Sequence, residues 1–213
     1  MKTPAQSQAP KSGPYSKIDS QIYLVRHGET SMNDPEDERY RGWSNPPLNE
    51  TGISDAHAAG RFLADKGIQH IISSDLGRTM DTANIISQYT HAEVVPVHDM
   101  RTWNVGQFTG MRVSDAKDQV EAFKNSGHAI PGGESYPAFQ ARWRGAIQKL
   151  VGHSKSSGAP VAVVTHSANI QDLGAKEPPP GGVVRMDIHK GQASFKSLNL
   201  KEGLPADGEQ ADS

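Results

Sequence analysis

The sequence contains no cysteine, so no disulfide framework, thiolate metal site or cysteine nucleophile is available to it. Nothing therefore marks it as a disulfide-stapled secreted protein, and a cytoplasmic setting is expected. It also lacks a surplus of either charge. Its 22 Lys and Arg against 24 Asp and Glu leave a formal net charge of -2, too little for a global field that would draw nucleic acid or an anionic membrane. Any attraction for an anion must be local. Long apolar runs are missing as well: no stretch approaches the roughly 20 apolar residues of a membrane span. The opening MKTPAQSQAPKSGPYSKIDS has no apolar core of the signal-peptide kind. Hydrophobic residues reach only 35%, but the deficit sits in polar ends rather than in the middle.

What is present fits one domain with a real core, 213 residues being an ordinary single-domain length. Residues 1–19, rich in Pro, Ser, Gln and Lys, and residues 202–213, rich in Gly, Asp and Glu, are expected to be flexible tails. The domain is expected at 20–201. Within it, apolar runs of strand length alternate with stretches of helical period, the pattern of an α/β layered fold. Strands are expected at Gln21–Arg26, His70–Ser74, Glu93–His98, Pro160–Thr165, Val183–Ile188 and Ala193–Leu198. Helices are expected at Gly52–Lys66, which stops at Gly67, at Leu76–Tyr89 and at Ala138–Val151. Residues 30–48 and 100–136 show no long clean period and are expected to be long loops gathered over the carboxyl ends of the strands. No internal repeat is evident.

The chemistry-bearing residues stand at strand ends. Ile22-Tyr23-Leu24-Val25 runs straight into Arg26-His27-Gly28-Glu29-Thr30, and Val161-Ala162-Val163-Val164-Thr165 runs into His166. A parallel sheet would set these two ends side by side. A third apolar run, Ile71-Ile72, leads through Ser73-Ser74-Asp75 to Leu76-Gly77-Arg78-Thr79, where an arginine opens a helix. Two imidazoles and two guanidiniums converging at one sheet edge suit a phosphoryl group, because arginine forks match its oxygens. An imidazole can attack phosphorus and carry a covalent intermediate, without a metal.

In order along the chain, these residues resemble the histidine phosphatase superfamily (phosphoglycerate mutase-like, branch 1). Leu24-Val25-Arg26-His27-Gly28-Glu29-Thr30 is similar to its signature, and Asn33 with Arg39 through Trp43 is similar to the following loop. Pro47-Leu48-Asn49-Glu50-Thr51-Gly52, Ser73 through Thr79 and Thr165-His166-Ser167 complete the set, over about residues 21–190. The resemblance implies a three-layer α/β/α sandwich with a mostly parallel sheet of about six strands. It implies His27 as the phosphorylated nucleophile, with Arg26, Arg78 and His166 as its catalytic partners on the phosphoryl oxygens. Gly28, Asn33 and Arg39 are implied near the phosphate or substrate. No metal and no cofactor are implied, and the expected partner is a phosphorylated substrate, small or protein-borne, with the oligomeric state left open.

Two departures bear on the substrate. Family members carry a glutamate or aspartate before a Gly-x-x-x-Gly stretch as proton donor, but register on Gly106 and Gly110 puts Thr102 there. A hydroxyl is a poor acid. Asp99 and Glu134, the latter in Gly133-Glu134-Ser135, are the candidate replacements. Otherwise the leaving group is one easily expelled, such as a phosphoramidate, an acyl phosphate or an aryl phosphate, as for a protein phosphohistidine phosphatase. The second departure follows His166, where the usual long helix gives way to Ser167 through Gly174 and then Glu177-Pro178-Pro179-Pro180-Gly181-Gly182. That lowers one pocket wall and ranks phosphatase above phosphoglycerate mutase. A degenerate phosphate-binding module without turnover is the reading from another class. Trp43, Trp103 and Phe108 are expected to pack in their loops or to line the substrate side, and Trp143 to lie in the core.

Overall fold

The computed structural model describes residues 19–198 and Leu200. Apart from Asp19, whose N–H donates to the Ile188 carbonyl at 2.8 Å, the expected tails lie outside the described residues. Six strands form one sheet: β1 Ser20–Arg26, β2 His70–Ser73, β3 Glu93–Pro96, β4 Val161–Thr165, β5 Val183–His189 and β6 Gln192–Leu198. Their order is β3-β2-β4-β1-β5-β6. The β1–β4, β2–β4 and β2–β3 pairs are parallel, while β5 runs antiparallel to both β1 and β6.

Side-chain alternation along the central strands builds a core on each face. Ile22, Leu24, Val161 and Val163 pack on one side with Ala116 and Val120 of α3 (Val113–Ser126), Phe139, Trp143 and Ile147 of α4 (Tyr136–Ser157), and Ile170 of α5 (Ser167–Asp172). Tyr23, Val25, Ala162 and Val164 pack on the other with Ala59 and Leu63 of α1 (Glu50–Leu63) and Ala83 and Ile86 of α2 (Gly77–Thr90). Helices therefore cover both faces of the sheet. Trp143 is fully buried, as expected, and truncating such a side chain costs about 3–5 kcal/mol.

Local signals set the helix ends. The Asn49 side chain accepts the Gly52 N–H at the start of α1, and Ser135 accepts the Ala138 N–H at the start of α4. Both α3 and α4 stop at a left-handed glycine, Gly127 and Gly158. α3 falls inside the segment expected to be a loop. Its Ala116, Val120 and Phe123 are the apolar stripe that meets the core, with Gly127 as the terminator, but only Ala116 and Val120 are buried within an otherwise polar helix. That weak amphipathic signal concealed it.

Candidate active site

Register brings the two histidines together. Arg26 pairs with Thr165 across the parallel β1–β4 ladder, so His27 and His166 are the next residue on each strand. The His27 N–H donates to the Thr165 carbonyl at 3.0 Å, and the two imidazole centroids lie 5.3 Å apart. On the other side of β4, β2 leads through Ser74 into α2, whose second residue is Arg78. Buried Arg78 spans the pair: its Nε is 3.3 Å from His27 Nε2 and its Nη2 is 3.2 Å from His166 Nδ1. The carbonyls of Ser44 (2.7 Å) and Gly42 (3.1 Å) hold the guanidinium in place.

The hydrogen-bond partners give each ring its tautomer. His27 Nδ1 lies 2.7 Å from its neighbour's carbonyl, Gly28 O, which can only accept. The proton therefore sits on Nδ1 and the lone pair on Nε2. Burial first, and the Arg78 charge second, hold His27 well below the ordinary imidazole range. His166 receives Arg78 at Nδ1 and donates from Nε2 to Ser74 Oγ at 3.0 Å. Burial and Arg78 depress it likewise. Both imidazoles are thus neutral at pH 7, and His27 offers an unprotonated nitrogen.

Positive charge surrounds that nitrogen. Burial lowers Arg26, Arg41 and Arg78, the last to about 9 with a further push from Arg41, so all three remain cations at pH 7. Arg26 donates through Nη1 to Glu177 Oε1 (2.8 Å) and to Pro178 O (2.9 Å), while its Nε is buried without a partner. An unsatisfied buried donor of this kind costs about 1–3 kcal/mol, and Arg26 is not among the residues that line the neighbouring cavity. Arg41 donates to the Met32 carbonyl at 2.8 Å, and its nearest carboxylate, Glu38, is 3.7 Å away.

His27, Arg41, Arg78, Thr102 and His166 line a cavity of about 700 Å³. Trp103 and Tyr136 supply an aromatic wall, and Lys117 and Lys124 of α3 stand at the cavity as well. Phe108 is instead packed in the core. Trp43 lies under the guanidiniums of Arg101 (4.7 Å) and Arg142 (5.6 Å), its Nε1 on Thr102 O.

The peripheral residues expected from the sequence are placed differently from one another. Arg39 lines the cavity but is engaged by Asp37, at 2.9 and 3.0 Å, and by Gly110 O. Arg41, two residues on, is the one whose charge acts on both histidines; spacing alone does not separate the two arginines. Asn33 does not line the cavity; its Oδ1 accepts from Thr30 N and Oγ1, holding the turn after β1. Gly28 donates its N–H to Thr82 Oγ1 at 3.0 Å. A Cβ on Gly28 would stand 2.2 Å from Gly52 O, so the motif glycine lets α1 approach the strand end.

Neither candidate acid reaches the cavity. Glu134 is clamped by Arg142 Nη2 (2.5 Å) and Nε (3.0 Å) and accepts Asn104 N–H at 2.9 Å. Asp99 is half-exposed beside His98 at 3.7 Å. The carboxylates that do line the cavity are Glu38, Glu121 and Glu177. Sequence reasoning passed over all three, since Glu38 and Glu121 sit in segments without a clean period and Glu177 in the proline-rich strap after α5. Among the described residues, no group of three or more His, Asp or Glu is placed to hold a metal ion, and no helix is long and apolar enough to cross a membrane.

Comparison with known proteins identifies the family and the fold. The sequence model of the histidine phosphatase superfamily (branch 1) matches residues 22–203. The probable phosphoglycerate mutase GpmB of Yersinia pestis (strain Pestoides F) is 34% identical over 152 residues, which cover 68% of this chain and 69% of the relative. Phosphoglycerate mutase from Bacillus anthracis str. Sterne superposes with a TM-score of 0.73 at 24% identity, covering 86% of this chain and 96% of that one. The mycobacterial glucosyl-3-phosphoglycerate phosphatase complexed with VO3 gives 0.69 at 24% identity, covering 84% and 97%. The six-stranded sheet with helices on both faces is thus of the phosphoglycerate mutase-like kind.

Proposed function

We propose that this chain, which belongs to the histidine phosphatase superfamily (branch 1), is a metal-independent phosphatase working through a phosphohistidine on His27. The observation that carries this is the neutral His27, with Nδ1 tied to Gly28 O and Nε2 unprotonated, inside a cluster of three guanidiniums of which those of Arg26 and Arg78 are buried. In the first step the Nε2 lone pair attacks phosphorus in line, the N–P bond forms, and the bond to the leaving oxygen breaks. Arg26, Arg41, Arg78 and His166 stabilise the phosphoryl oxygens as charge spreads over them. In the second step water attacks phosphorus, the P–N bond breaks, and inorganic phosphate leaves with His27 restored.

The substrate is a phosphomonoester or similar phosphorylated compound that fills a cavity with cationic and aromatic walls. The name of the 34% identical relative also raises mutase activity, in which a second acceptor hydroxyl rather than water would take the phosphoryl group. Hydrolysis is the reading we favour because α5, which supplies Ser167, Ala168 and Gln171 to the cavity, is only six residues long, and a wall that short would admit water. The test is turnover of para-nitrophenyl phosphate by the wild type and by His27→Ala. We expect the variant to lose at least about 10⁴-fold, the scale on which nucleophile removal acts. A variant that kept clear hydrolysis would contradict the mechanism.

A further inference from the structure

An unactivated phosphate ester needs a proton on its leaving oxygen, and proton transfer by a placed side chain is worth about 10²–10⁴-fold. Thr102 supplies none, and Glu134 and Asp99 are held away from the cavity. Of the three carboxylates that line it, Glu121 stays on α3 beside Lys124 (3.5 Å), and Glu38 lies 3.7 Å from Arg41. Glu177 alone among them bonds to the residue that precedes the nucleophile, with Oε1 at 2.8 Å from Arg26 Nη1.

Its placement is firm although it follows a short helix. Pro178 restricts Glu177 to extended backbone, and Pro178-Pro179-Pro180 forms a stiff strap. The strap is stitched to the nucleophile strand: Gly181 N–H faces the carbonyls of Arg26 and His27 at 3.1 Å each, and Arg26 N–H donates to Gly182 O at 3.1 Å. The carboxylate is gripped from α5 as well. Ser167 Oγ, directly after His166, donates to Oε1 at 2.5 Å, and Gln171 Nε2 donates to Oε2 at 2.7 Å.

We infer that Glu177 is the proton-transfer residue of this site, standing in for the acid that Thr102 replaces. The inference rests on the phosphohistidine mechanism proposed above. The acid form of Glu177 is the one that acts, and the substrate's phosphoryl group competes for the Arg26 donor that holds the carboxylate. As His27 Nε2 bonds to phosphorus, the Glu177 proton passes to the leaving oxygen, which departs as a neutral alcohol. In the second step both protons of the attacking water leave with inorganic phosphate as the P–N bond breaks and its electron pair returns to His27 Nε2, while Glu177 regains its proton from solvent, so only the first step depends on Glu177.

The experiment compares benzyl phosphate, which expels an alkoxide, with para-nitrophenyl phosphate, whose leaving group needs little help. Glu177→Gln should cut kcat on benzyl phosphate by about 100-fold and on para-nitrophenyl phosphate by less than about 5-fold, so retained aryl activity also reports a folded site. Glu177→Asp, which keeps a carboxyl, should recover part of the benzyl rate. Equal losses on both substrates, as a purely structural role would give, or an unchanged benzyl rate would overturn the assignment. So would a wild type active only on the aryl ester, while leaving the phosphatase mechanism standing. A wild type inactive on both esters would overturn the phosphatase mechanism and the Glu177 assignment together.

Discussion

The floor and the walls of the cavity are built by different means. The floor has His27 after β1 and His166 after β4, both fixed by ladder register, and Arg78 one residue into α2, held by the Ser44 and Gly42 carbonyls; all three are buried to within 3% exposure. The walls come from segments far apart in sequence: Arg39 and Arg41 before α1, Thr102 and Trp103 before α3, and Glu177 after α5. Their contacts are ion pairs and loop carbonyls. Under the proposed mechanism, phosphoryl chemistry falls to the rigid part, while the proton and the substrate body fall to the part that loops can vary.

Changes in the floor should therefore cost most. Arg78→Ala removes the guanidinium that touches both imidazoles, and kcat on para-nitrophenyl phosphate should fall by about 10²–10³-fold, the range for losing one oxyanion donor. A smaller loss than that of any wall variant would erase the distinction between floor and wall.

Within the walls, the two neighbouring arginines sharpen it. Arg41 acts on His27 and His166, whereas Arg39 is spent on Asp37 and Gly110 O. Arg41→Ala should lower kcat/KM by about 10-fold or more, as for loss of a charged hydrogen bond of roughly 1.5–3 kcal/mol. Arg39→Ala should lower it several-fold less. Steady-state kinetics on the two variants would reverse the assignment if Arg39 proved the costlier loss.

The smallest expected effect is on stability. Burial holds His27 and His166 well below their ordinary range, while the unfolded chain titrates them near about 6.5. Between those values the unfolded state binds more protons, so stability rises with pH through that window and is lost as pH falls below about 6.5. Each histidine contributes a slope of at most about 1.4 kcal/mol per pH unit. Urea unfolding between pH 5 and 7.5 should show this slope, and His27→Gln with His166→Gln should flatten it; an unchanged slope would mean that the floor histidines are not its source.

The same contrast explains what could be read from the sequence. His27, His166 and Arg78 were legible because each ends an apolar run or opens a helix, and a parallel sheet leaves such ends little freedom. The central strands were legible for the same reason, through their continuous Val and Ile runs. α3 was not, because most of its length is polar and its stripe of Ala116, Val120 and Phe123 is weak. The Glu134 clamp by Arg142, and the meeting of Glu177 with Arg26, depend on residues 8 and 151 apart finding each other in three dimensions. No local pattern encodes either pairing.

The most direct test of the central claim is a rapid quench in alkali during turnover of a phosphate ester labelled on phosphorus. The proposed mechanism predicts labelled protein, stable in alkali and lost in acid, with the label on His27 and absent from His27→Ala. Full turnover without labelled protein, or label on any other residue, would contradict it.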